Sequence, residues 1–295
     1  MIGHKIIYIA GHDLNLIKEI FLDSNHLNKD GIRIHTSTEL EEMRLSCKLA
    51  AETLDMIGDF VKPGIPTETI NNLCHEFMLD HGATPATLGY RGFPKSCCIS
   101  INHVVCHGIP GPKILKESDI LNIDVTCILN GWFGDSSRMY IAGSITKKAS
   151  RLIEVTHNAL LKGIEVVKPG NKFGDIGEAI QKYVEGKKMS VVRDFCGHGV
   201  GKSFHSAPNV LHFGKKNTGS ILEPGMFFTI EPMVNLGKPD TKILSDNWTA
   251  VTRDKSLSAQ FEHTIFVRKK GCEVLTQSFN NTFFPEGAKL HHSSA

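Results

Sequence analysis

The segment LDMIGDFVKPG at 54–64 returns as LLKGIEVVKPG at 160–170, repeating Leu, Val, Lys, Pro and Gly at a constant offset of 106 residues. An echo at that distance restricts the fold, because two copies of one unit must each bury an apolar face and then pack on each other. Helical spacing precedes each copy. Leu40, Met43, Cys47, Leu54 and Ile57 form one apolar stripe, opened by Thr38 and Glu41 as a capping box. Leu152, Val155, Leu160, Ile164 and Val167 form the other, and each stripe stops at a Pro-Gly pair that cannot continue a helix. A second helical pattern follows each turn. Strand-like runs come next: CISINHVVCHGIP and DVTCILNGWFGDSSRMY in the first half, FFTIEPMVNL and QFEHTIFV in the second. Helices and then antiparallel strands, twice over, predict an α+β domain in which pseudo-twofold duplicated helix pairs pack on a curved antiparallel sheet. Residues 36–279 read as that single domain, with repeats at about 36–142 and 143–279, a loosely attached N-terminal extension at 1–35 and a polar C-terminal tail at 280–295.

Within the first half, Asn130-Gly131 is a hairpin signal, because a type I′ turn needs φ > 0 at both centres. With those two residues as the loop, Leu129 faces Trp132 and Thr126 faces Asp135, which puts Asp124 and Asp135 on one sheet face as diagonal neighbours. Two carboxylates at such positions either sit on a solvated face or meet about a shared ion, since unpaired they repel in an apolar setting.

Composition narrows the function classes. The chain has 295 residues, 41% hydrophobic and 22% charged, with a net charge of +2 and no basic run longer than the three residues Arg268, Lys269 and Lys270, so nucleic acid is not an expected partner. The apolar run IIYIA at 6–10 is too short for a membrane span and a poor signal peptide. Eight cysteines include no C-x-x-C pair, which fits reduced thiols and a cytoplasmic protein.

Further candidate ligands stand out by their surroundings. His198 lies between glycines in CGHGVGKSFH, with His205 seven residues on, and Glu231 and Glu262 interrupt apolar strands in phase with Thr229 and Gln260. Charged residues there are seldom buried without a partner. Four carboxylates and one imidazole carry a charge of about −4, enough to neutralise two divalent cations bridged by carboxylates. Oxygen-rich ligation with one nitrogen suits Mn, Fe(II), Co or Zn. Two motifs are set aside. His75-Glu76 lacks the second histidine of a zinc helix and reads as an exposed helix face, and GHGVG lacks the third glycine of a nucleotide loop.

The ordered series Asp124, Asp135, His198, Glu231, Glu262 resembles the ligand set of the pita-bread metallopeptidases. Within them, the blocks GYRGFPKSCCISINHVVCHGIP, NIDVT, GWFGDSSRMY, GHGVGKSFH, TIEPMVN and SLSAQFEHT resemble the type I methionine aminopeptidases, in their short bacterial form, over roughly residues 36 to 276. The resemblance implies that Asp124 binds one cation, His198 and Glu231 the other, and Asp135 and Glu262 both. It implies that His107 contacts substrate near the scissile nitrogen, that His205 reaches the carbonyl oxygen, and that Glu231 shuttles a proton. Tyr90, Phe93, Cys98, Phe204 and Trp248 match positions lining the methionine pocket. Thr87, Phe93 and His103 depart from residues common in that family. The expected activity is removal of an N-terminal methionine before a small second residue. The expected partner is a nascent peptide with a free amine, with a transient ribosome contact and a monomeric chain. Two rivals share the fold: a prolidase or aminopeptidase P, which generally carries an additional N-terminal domain where only about 35 residues precede the core here, and a peptide-binding module that has lost catalysis.

Overall fold

A computed structural model describes residues 26–278; residues 1–25 of the predicted extension and the tail at 280–295 lie outside the described residues. Helix α1 (Ser37–Ile57) opens on a capping box, but at Thr36 and Glu39 rather than Thr38 and Glu41. Both pairs fit the motif. The earlier one is chosen because Arg33 Nη2 also donates to Glu39 Oε1 at 2.7 Å, which holds the glutamate over the Thr36 amide. The predicted apolar stripe of α1 is buried throughout. Part of the extension assigned to 1–35 is packed: Ile32 is 2% exposed in the larger core cluster, and His35 N–H donates to Gly225 O at 2.8 Å.

The chain continues through α2 (Thr67–Asp80), β1 (Thr84–Pro85), β2 (Cys98–Ile101), β3 (Val104–Cys106), β4 (Asp119–Leu129) and β5 (Trp132–Ala142). The second half runs α3 (Lys147–Glu165), α4 (Phe173–Gly186), β6 (Ser190–Val191), β7 (Gly197–Gly199), β8 (Ser206–Val210) and β9 (Phe227–Ile230). It closes with β10 (Met233–Asn235), β11 (Thr241–Ile243), β12 (Ala250–Thr252), β13 (Ser258–Gln260), β14 (His263–Val267) and β15 (Cys272–Val274). In the first half β1 and β2 pair one edge of β4 and β5 pairs the other, all antiparallel. In the second half the order is β15-β14-β9-β7-β8, with β13-β10-β6 a further sheet, and in β11-β12-β3 the strand β12 pairs with β3 of the first half. One apolar cluster lies against each helix pair.

The duplication is visible in the backbone. Gly64 and Gly170, at φ of 91° and 89°, end the two Pro-Gly turns. Gly64 N–H donates to Leu115 O at 2.8 Å and Leu115 N–H returns to Ile65 O at 2.9 Å; the counterparts are Gly170 to Leu222 at 3.0 Å and Leu222 to Asn171 at 2.7 Å. The 107 residues between Leu115 and Leu222 also separate Asp124 from Glu231, so these two carboxylates occupy equivalent places in the two halves. The halves meet where Ser137 bridges Glu262, with Ser136 Oγ donating to Glu262 O at 2.9 Å and Asn122 Nδ2 donating to Gln260 O at 2.9 Å.

Candidate active site

The β4–β5 hairpin turns on Asn130 and Gly131, whose φ values of 51° and 79° meet the type I′ requirement. Its register pairs Leu129 with Trp132, Thr126 with Asp135 and Asp124 with Ser137, so Asp124 and Asp135 share a face as the alternation demands. Thr126 Oγ1 donates to Asp135 Oδ1 at 2.7 Å, which orients that carboxylate. From the other half, His198 N–H donates to Thr229 Oγ1 at 3.0 Å. The ring places Nδ1 3.1 Å from Gly199 O, leaving Nε2 aimed at Asp135 Oδ2 at 3.5 Å and Glu231 Oε1 at 3.7 Å. Glu231 Oε1 also accepts from Thr229 at 2.8 Å, and Oε2 accepts from Gln260 Nε2 at 3.2 Å. Glu262 is held by its main chain: its N–H donates to Ser137 O at 2.9 Å.

This donor set fits a divalent cation. Asp135, His198 and Glu262, all buried, each offer a ligand atom within 4.8 Å of the others. Burial, with Asp135 as a neighbouring negative charge, pushes the Asp124, Glu231 and Glu262 carboxyls well above the ordinary range, and burial pushes Asp135 up to about 7. His198 is pulled down to about 4 by burial and supplies no positive charge near neutral pH. Among the described residues no Lys or Arg forms an ion pair with any of the four carboxylates. A bound divalent cation would resolve that repulsion.

The cluster lines a cavity of about 600 Å³ whose lining includes all five candidate ligands together with His107, His205, Tyr90, Phe93, Cys98, Phe204 and Trp248. The Phe93 and Trp248 rings meet edge to face at 5.2 Å, and Tyr90 lies 4.8 Å from Phe204 and 5.2 Å from His205. His107 has a φ of 56°, backbone strain of the sort that accumulates at functional sites. Its ring approaches Trp248 at 5.9 Å and its pKa is lowered by burial. His205 stands 4.1 Å, ring to ring, from His198 and is pulled down to about 3, by burial first and then by His198, Arg91 and His107.

With that geometry in place, comparison with known proteins is decisive. Residues 41–269 match the model of metallopeptidase family M24. A methionine aminopeptidase of Rickettsia prowazekii (strain Madrid E) is 59% identical over 256 residues, spanning 86% of this chain and 98% of that one. This chain belongs to the methionine aminopeptidases of family M24. Its fold overlays the crystal structure of the methionine aminopeptidase from Rickettsia prowazekii with a TM-score of 0.83 over 83% of this chain and 100% of that chain. The methionine aminopeptidase of Escherichia coli (strain K12) is 50% identical over 253 residues, 85% of this chain and 96% of its own. The prolidase from Pyrococcus furiosus, at 21% identity and a TM-score of 0.70 over 85% of this chain and 67% of its own, shares the pita-bread fold alone.

In this family member, Thr87 and Phe93 line the cavity and His103 does not. Half-buried His75 sits 2.8 Å from Ser96 Oγ and lies, like Glu76, outside the lining. The glycines flanking His198 serve strand packing, since a Cβ on Gly197 would meet Thr229 O at 2.4 Å and one on Gly199 would meet Ala207 O at 2.0 Å. Sequence reasoning did not single out Thr126 or Gln260 as site residues, yet both line the cavity and each lies two residues from a candidate ligand. Period-two phase would have found both. Arg91, Asp194 and Cys196 also line the cavity, and no local pattern marks them.

Proposed function

We propose that this protein removes the N-terminal methionine of nascent peptides whose second residue is small, by hydrolysis at a centre of two divalent cations. The observation that carries this reading is a single cavity lined by four carboxylates and an imidazole together with aromatic and sulfur-bearing side chains. Asp124 would hold one cation, His198 and Glu231 the other, with Asp135 and Glu262 shared; Co, Mn, Fe(II) and Zn all suit these donors. When bound, the cations supply Lewis acidity and lower the pKa of water. His205, neutral over the working pH range, donates a hydrogen bond to the scissile carbonyl oxygen as charge develops there. His107 contacts the substrate near the scissile nitrogen, and Glu231 carries a proton towards the leaving amine. Tyr90, Phe93, Cys98, Phe204 and Trp248 enclose the methionine thioether, for which sulfur–aromatic contact is favourable. Among the described residues, no helix is long and apolar enough to cross a membrane. The reading further places a monomer in the cytoplasm, meeting the ribosome transiently and binding no specific nucleic acid.

The free amine is anchored at the carboxylate cluster, so blocking it removes the anchor and adds bulk among the acidic groups. Met-Ala-Ser should be cleaved with Mn or Co present, Ala-Pro peptides and formyl-Met-Ala-Ser should not, and Leu-Ala-Ser should be slow. A misfit of one apolar group costs only about 1–3 kcal/mol, so the leucine peptide loses rate without losing all turnover. Equal rates on free and formylated peptides would overturn the aminopeptidase mechanism. Preference for Ala-Pro would make the protein prolidase-like.

A further inference from the structure

Glu231 sits where the chain leaves β9 at Ile230 and enters β10 at Met233, with Pro232 between. The β9–β14 ladder ends at the Ile230–His263 pair, so the Glu231 amide has run out of strand partners. A buried N–H must still find an acceptor. It finds His212 Nε2, at 3.1 Å.

His212 is fully buried and outside the cavity lining. Because a backbone N–H can only donate, Nε2 presents its lone pair and the ring hydrogen of the neutral imidazole is on Nδ1. That Nδ1 is buried with no hydrogen-bond partner among the described residues. An apolar side chain would fill the same space without stranding a donor, so what the imidazole adds is the acceptor on its other side. Its seat is rigid. The backbone around His212 lies directly on α4 at Gly177, where a Cβ would meet Phe213 O at 2.4 Å and Leu211 O at 2.9 Å. Thr229 and Gln260 hold the two carboxylate oxygens of Glu231, and His212 holds its main chain.

We propose that His212 is a positioning residue for Glu231: its ring nitrogen pins the amide at the strand break and thereby aims the carboxylate into the cation site. The inference rests on the assignment of Glu231 as a ligand. Groups that orient ligands typically change metal affinity or activity about 10–100-fold when removed.

The test uses the full chain stripped of metal and titrated calorimetrically with Mn²⁺. His212→Leu should bind Mn²⁺ about 10–100-fold more weakly and lose kcat with little change in KM. His212→Gln, whose amide oxygen can stand where Nε2 stands, should recover most of both. Glu231→Gln serves as the control. If it weakens Mn²⁺ binding while His212→Leu does not, the positioning role is wrong and the ligand assignment stands. If Glu231→Gln binds as tightly as the parent, the ligand assignment fails and this inference with it. Equal losses in His212→Leu and His212→Gln would show that the ring acts by packing alone, which also overturns the proposal. One measurement needs no variant to fold: nitrogen NMR of the parent protein at neutral pH should show His212 with Nδ1 protonated and Nε2 bare. An Nε2–H tautomer would rule the bond out.

Discussion

His205 lies ring to ring with His198, 4.1 Å away, yet only His198 belongs to the compact group of potential ligand atoms. That separation allows a distinct prediction. His205→Ala should leave Mn²⁺ affinity unchanged and lower kcat by roughly 10²–10³, the cost of removing one hydrogen-bond donor from a developing oxyanion. Loss of bound metal along with activity would make His205 a ligand and the oxyanion role wrong. The same scale explains why candidate ligands could be picked out from sequence at all. Glu231 and Glu262 interrupt strand-like apolar segments where a charge has little solvent to face, and such a residue needs a partner wherever the fold puts it. Arg91 has no such contrast, being an exposed basic residue beside Tyr90, and only the fold brings it to the cavity.

Among the elements, the β4–β5 hairpin does the most to build the site, and two of its glycines do different jobs. Gly131 provides a positive φ at an open turn where a Cβ would meet nothing within 4 Å. Gly134 lets β5 lie on α1, for a Cβ there would meet Ser46 O at 2.2 Å and Cys47 N at 2.6 Å. Gly131→Ala should therefore cost about 1 kcal/mol through backbone strain and leave metal binding intact. Gly134→Ala should cost about 1–3 kcal/mol and also weaken Mn²⁺ binding, because backbone cannot yield as a flexible side chain does and Asp135 is the next residue. Calorimetric Tm values with metal titrations compare the two; equal effects on affinity would show that α1 does not set the position of Asp135. The hairpin register was legible because a two-residue turn and strand alternation are local rules. The α1 cap was misplaced by two residues because Thr36 and Thr38 both satisfy the local rule, and Arg33 decides between them.

At the scale of the whole molecule, bringing four carboxylates together couples stability to pH and metal. Their folded pKa values are raised, Asp135 to about 7, so the metal-free fold retains protons that the unfolded chain releases above its ordinary carboxylate range. Metal-free stability should thus be highest at the acid end of this window and fall as pH rises through 7, by about 1.4 kcal/mol per retained proton per pH unit. Cations take the place of those protons. The rise in Tm on adding saturating Mn²⁺ should accordingly be small at pH 5 and large at pH 8, as scanning calorimetry would show. Equal rises at the two pH values would mean that the carboxylates do not share one site.

Several features were determined by sequence alone. The 106-residue echo implies two helix-and-strand halves, Asn130-Gly131 sets the register that puts Asp124 and Asp135 on one face, and the ordered acidic and histidine positions suit divalent cations and resemble a metallopeptidase ligand series. All of these rest on periodicities, turn conformations and short motifs, which act over a few residues and leave a pattern in the chain. The seam between Ser137 and Glu262, the support of the Glu231 amide by His212 and the entry of Arg91, Asp194 and Cys196 into the cavity were decided by tertiary structure. Ser137 and Glu262 are brought together by chain closure over more than a hundred residues, and pairing at that distance depends on how both sheets curve, which no local spacing encodes.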